Sequence, residues 1–197
     1  MSFGIRISVD ATRAVKKLKA VGIKLDNKEM LSFIGEHLFY WVDHNFQNEG
    51  TEKKWAKLSD NTLAGRRKNG RVAKILQDTG RLKMSFVKGK LQNVHSISGN
   101  KLEVGSEDPR AIWHHKGTDP YDIYPKNKEA LSFVIGGMKI YEKRGGLSNR
   151  KAVVKHVHHP GLIARPLIPS DGLAQKIADK AVRAYVKVIE SSVKGMT

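Results

Sequence analysis

Histidine is the reactive side chain that this 197-residue sequence concentrates, with eight in all. His114 and His115 stand together, and His156, His158 and His159 form a second group. On a strand His156 and His158 would point to the same side, which is the spacing of a metal pair. Such a pair in a basic chain would suit metal-assisted hydrolysis of a polyanion. Neither group has a carboxylate motif beside it, however, and ligating imidazoles need acceptors behind them. The expectation is therefore no metal, and histidines that are exposed or at an interface.

Other chemistries fare worse. The chain has no cysteine, which removes disulfides, thiolate zinc sites, iron–sulfur clusters and a thiol nucleophile. No glycine-flanked serine of the elbow type occurs. Lys68, Gly70 and Arg71 lack the downstream Lys-Ser or Lys-Thr of a phosphate loop. Paired carboxylates suited to glycoside chemistry are not visible either. No catalytic residue and no cofactor is expected, and binding or assembly is left as the default.

Charge points the same way. With 36 Lys and Arg against 19 Asp and Glu the formal charge is +17. Residues 61–95 hold nine basic side chains and one acid, and residues 139–165 hold seven and one, whereas residues 1–60 and 96–138 are nearly balanced. An excess of this size attracts polyanions, either nucleic acid or an acidic protein surface, although a solvated face would also explain it. Neither basic stretch interleaves aromatics as a single-strand stacking platform does. No run approaches the roughly 18 apolar residues of a membrane span, and the first residues alternate rather than form a signal-peptide block. A soluble protein made in a reducing cytoplasm, with no membrane partner, is expected.

The elements that must position these groups read as α+β. Phe3, Ile5, Ile7 and Val9 alternate as a half-buried strand, and Asp10 caps a short helix bearing Ala14, Val15 and Leu18. Asp26 with Glu29 suggests a capping box for a helix whose stripe is Met30, Leu31, Ile34, Leu38, Trp41 and Val42, ending near Phe46. Residues 50–80 read as loop with short helical turns, one capped by Ser59, and Asp78 or Thr79 could cap another over Gly80 to Ser85. Gly99–Asn100 is a hairpin turn between alternating runs. Gly136–Gly137, between Leu131–Ile135 and Met138–Tyr141, reads as a second, with a further strand at Ala152 to Val157. The longest helix follows Ser170, with Ala174, Ile177, Ala178, Ala181, Val182, Tyr185 and Ile189 on one stripe. The expectation is one domain over residues 1–197, a mainly antiparallel sheet packed by N- and C-terminal helices, with a β-hairpin arm inserted at 119–159.

The order of several short motifs adds a resemblance. Phe46, Gly50, Trp55, Leu58, Ser59 and Thr62 come first, then Ile75, Leu76, Thr79, Gly80, Leu82 and Ser85. Val104, Gly105 and Ser106 follow, then Ala111, Ile112, His114 and Gly117, and finally Ala164, Arg165 and Pro166. Over about residues 46–168 this series resembles the tail completion and virion morphogenesis proteins of tailed bacteriophages. Ala56 and Lys57 stand where many relatives place a proline before the leucine, and Leu167 replaces a usual phenylalanine. The segment Ile123 to Pro160 looks more like the head-to-tail joining proteins of long-tailed phages.

The resemblance implies a non-enzymatic virion protein at the neck, assembled in the host cytoplasm as a homo-oligomeric ring. Its partners would be the head connector and the tail tube or terminator proteins, close to packaged DNA. Interface candidates are Trp55, Arg66, Arg67, Lys68, Arg71, Trp113, His114, Lys139, Lys155, His156 and Arg165. Trp41 is read as core. Trp55 and Trp113 are placed in irregular chain, as packed plugs or partner contacts. Arg165 is expected to pair with a carboxylate, on the sheet or on a neighbour. For the basic segments an acidic connector surface is favoured over DNA. The rival reading is a basic nucleic-acid-binding protein, including a metal-dependent nuclease built on the histidines.

Overall fold

The computed structural model describes residues 4–20, 26–126, 129–141 and 147–194. Strand β1 (Ile5–Asp10) alternates buried and exposed positions, with Ile5, Ile7 and Val9 inward. Asp10 then accepts the Thr12 N–H at 2.8 Å and starts helix α1 (Thr12–Ala20). Helix α2 (Asn27–Gln47) is capped by Asp26, which accepts from the backbone of Lys28 and Glu29. The Glu29 carboxylate does not complete the reciprocal box; it turns to the Tyr185 hydroxyl, and burial together with this carboxylate pushes that phenol up to about 12.

Helix α3 (Asp60–Lys68) follows its Ser59 cap. The next turn, α4 (Arg81–Met84), is entered through Gly80 at φ 72° with no side-chain cap, so neither Asp78 nor Thr79 serves. Strands β2 (Asn93–Ser98) and β3 (Lys101–Ser106) form the hairpin over Gly99–Asn100, with Gly99 at φ 56°. Helix α5 (Pro109–Lys116) lies where the sequence suggested irregular chain. Asp108 caps it, Pro109 opens it, and Gly117 at φ 78° ends it. Trp113 is therefore a helical residue.

Strands β4 (Tyr121–Ile123) and β7 (Val157–His159) pair antiparallel, and between them β5 (Leu131–Tyr141) pairs with β6 (Leu147–Val154). Gly136–Gly137 is not a turn. It lies inside β5, where the register against β6 slips between Val134 and Lys139, as at a β-bulge. The end of the chain forms α6 (Asp171–Lys194).

The principal sheet has the order β1-β3-β2, all antiparallel, and α2 and α6 pack on each other. Helix α2 also lies against β3 and β2, and α6 against β1, which makes an α+β two-layer arrangement. Met30, Leu31, Ile34, Leu38 and Phe46 of α2 are fully buried against Ile7, Val9, Leu102 and Val104 of the sheet and Ala174, Ala178 and Ala181 of α6. Each large side chain of this kind contributes about 1.5–3 kcal/mol. Small residues on α6 let the two helices approach closely. Trp41 is partly buried and packs on this core.

Candidate functional site

The motif residues converge on the segment 164–167, which crosses beneath the C-terminal end of α2. Asn45, only 1% exposed, donates through Nδ2 to the carbonyls of Pro166 (2.9 Å) and Leu167 (3.2 Å) and accepts the Thr51 N–H at 2.7 Å. The Trp55 indole Nε1 donates to the same Pro166 carbonyl at 3.1 Å, and its ring meets Phe46 edge-on at 5.4 Å. The Arg165 backbone N–H donates to the His114 carbonyl at 2.7 Å, and the Leu167 N–H to His115 Nδ1 at 3.1 Å. The Arg165 guanidinium donates to the Ala56 carbonyl at 3.1 Å through NH2 and 3.4 Å through Nε. A carboxylate was expected for Arg165; a backbone carbonyl takes its place. Trp55 is buried and has no surface to offer a partner.

A second motif group closes the end of the central strand β3. A Cβ on Gly105 would stand 2.0 Å from the Ile5 carbonyl oxygen, so the β1–β3 approach requires glycine. Ser106, next in β3, bonds the Ser85 hydroxyl at 2.7 Å and accepts the Asp108 N–H at 3.0 Å. Asp108, 1% exposed, caps α5 and ion-pairs with Arg110, whose hydrogen bonds hold its carboxyl below the usual carboxylate range against the cost of burial. Both groups serve internal locking.

The histidines fall into two environments. Burial pushes His114 and His115 below the usual imidazole range, helped at His114 by Arg165 and Arg110 and at His115 by Lys116. His114 Nδ1 is buried without a hydrogen-bond partner. The other group lines the β4–β7 ribbon: His159 stacks on Tyr121 at 4.8 Å, His158 Nδ1 lies 3.0 Å from Asp122, and His156 stacks on Tyr124 at 5.8 Å. The first two are successive cross-strand pairs, and the third lies just beyond the ladder, past Ile123 and Val157. Among the described residues no three His, Asp or Glu side chains are grouped to hold a metal ion. The ribbon leaves Tyr121 and Tyr124 exposed, and Trp113 and Ile163 are exposed as well.

The basic candidates divide by role. Arg66 turns inward, donating to the carbonyls of Val72 (3.2 Å) and Lys74 (2.6 Å) and standing 3.7 Å from Asp78. Arg71 pairs with the same Asp78 at 3.2 Å. Arg67 and Lys68 are exposed at the end of α3, and Lys155 and His156 are exposed beside β7. Lys139 is in β5, and its side chain lies outside the described residues. No helix of the described residues is long and apolar enough to cross a membrane.

Sequence reasoning missed Asn45, which sits on the helix stripe like any interior polar residue and gives no local sign of partners 121 and 122 positions away. It also missed the internal use of Arg66. The model of the phage virion morphogenesis family matches residues 9–187, in agreement with the resemblance drawn from the motifs. No curated protein and no solved structure matches the chain.

Proposed function

The chain belongs to the phage virion morphogenesis family, and on that footing we propose that it is a non-enzymatic component that completes the tail and joins it to the head connector as a closed ring. One observation carries this reading. Trp55 and Arg165 of the family-like motifs are spent, together with Asn45, on locking segment 164–167, and Gly105 and Ser106 on locking the end of β3. Internal locking of this kind supports a structural subunit. Function then rests on the outer surfaces, where Trp113, Tyr121, Tyr124 and Ile163 are exposed and aromatic side chains favour protein contacts. Repeated heterologous contacts that close generate rings.

Two assays on the purified protein test it. Light scattering should give a mass several times the 22.0 kDa subunit, alone or on addition of connector or tail protein. Incubation of duplex DNA with the protein and a divalent metal should leave the DNA intact. Cleavage that is lost on His158→Ala would contradict the proposal and return the histidines to catalysis.

A further inference from the structure

An apolar groove of about 380 Å³ runs between α2 and residues 83–88, lined by Phe39, Tyr40, Val42, Phe86 and Val87. Tyr40 and Val87 are exposed there, and Met84 and Leu91 are exposed in the same segment. Its walls carry opposite charge, with Glu36 and Asp43 on α2 and Lys83 and Lys88 facing them. Lys83 pairs with Asp43 at 2.7 Å, which ties the walls together. Lys88 is exposed and donates to the neutral Ser32 hydroxyl at 3.2 Å, and Glu36 is exposed on the other wall. Both charges are open to a partner.

The β4–β7 strand pair has the matching features. Every position of β4 is exposed, so that strand is covered on neither face, and a two-stranded sheet by itself is marginal in water. Tyr121, Ile123 and Tyr124 present apolar surface. Charge divides here too: Asp119 and Asp122 lie on the β4 side, and the exposed Lys155, His156 and His158 on the β7 side. A groove is not its own complement, and a ring is built from contacts between unlike patches. Copies of a chain with net charge +17 repel one another, so a contact between them belongs where charge is balanced and aromatics are exposed. We propose that the groove of one subunit receives the β4–β7 pair of a second copy, with Asp119 and Asp122 toward the Lys88 wall and Lys155 and His156 toward Glu36. This inference rests on the ring reading and names the two surfaces of its contact.

Sedimentation of the full chain over a range of concentrations tests it. The wild type should self-associate. Tyr40→Ser with Val87→Ser in the groove, and Tyr121→Ser with Tyr124→Ser on the strand pair, should each weaken association about tenfold or more while melting near the wild-type temperature. Asp119→Lys, which changes charge on an exposed side chain, should weaken it too. The deciding arm mixes the two double variants at a concentration where each alone is monomeric. Each keeps one sound surface, so the mixture should form a pair of twice the 22.0 kDa subunit and nothing larger. A wild type that stays at the subunit mass throughout overturns the inference and leaves a ring assembled on the connector or tail protein. Variants that associate as the wild type does also overturn it, while the ring reading stands. Variants that are monomeric apart and stay so when mixed show a contact between like patches, and the inference fails.

Discussion

Trp55 and Pro166 stand 111 positions apart, and the indole N–H of the first donates to the carbonyl oxygen of the second at 3.1 Å. That bond ties the loop after α2 to the extended segment before α6, with Asn45 bonding the same carbonyl. Removing the indole alone still leaves Pro166 one donor. Trp55→Phe should therefore cost about 1 kcal/mol. Asn45→Ala unsatisfies the carbonyls of Pro166 and Leu167 and the Thr51 N–H in part, and should cost about 3 kcal/mol. Urea unfolding of the two variants measures the order, and a milder loss at Asn45 would show that water replaces its amide.

Two glycines should respond in opposite directions. Gly105→Ala drives a Cβ onto the Ile5 carbonyl, and should cost about 3 kcal/mol by prying β1 from β3. Gly65 is inside α3 with nothing within 4 Å of an added Cβ. Gly65→Ala should gain about 0.5–1 kcal/mol, because alanine restricts the unfolded chain and favours the helix. Thermal melts compare them directly.

Acid should weaken the fold in a window set by half-buried imidazoles. Burial holds His95, His114 and His115 below their usual range, with Lys88 adding to the effect at His95. His95 Nε2, like His114 Nδ1, is buried without a partner. Because these native pKa values are depressed, the unfolded chain binds protons first as pH falls. Stability is then full above about pH 6.5 and declines below it. The lowered carboxyl of Asp108 acts separately: its contribution is present above about pH 3.9 and is lost as pH falls further. Melting temperature should drop between about pH 7 and about pH 5, and less steeply in His95→Phe and His114→Phe. Equal slopes in wild type and both variants would assign the drop elsewhere.

The ribbon can be removed cleanly. Leu131 and Val154 are direct cross-strand partners, so their Cα atoms lie about 4.5–5.5 Å apart. Residues 132–153 can be replaced by Asn-Gly, a two-residue hairpin turn. The described core draws on β1, β3, α2 and α6, and the shortened chain should melt cooperatively near the wild-type temperature. It should fail to join heads to tails. Normal joining would make the ribbon dispensable for assembly.

The elements legible in the sequence are those whose causes are local. The stripes of α2 and α6, the Asp26 and Ser59 caps and the Gly99–Asn100 turn each depend on residues within a few positions, and each is found in the fold. Helix α5 had its signals too, Asp108, Pro109 and Gly117, but two turns carry too little periodicity to stand out. Gly136–Gly137 misled because the same pair suits a turn or a bulge, and the pairing of β5 with β6 decides between them. The site was less legible. Trp55 and Arg165 were singled out by type and motif, but their carbonyl partners at Pro166 and Ala56 are set by long-range packing. His156 and His158 have the spacing of a strand pair, but His156 precedes β7, and the side chains facing the two are Tyr124 and Asp122.

The most direct measurement is electron microscopy of lysates from a phage lacking this gene, with and without the purified protein added. Without it, DNA-filled heads and complete tails should accumulate separately. Added protein should restore joined particles, and label on the protein should sit where head meets tail. Joined particles at normal yield in its absence would contradict the assignment.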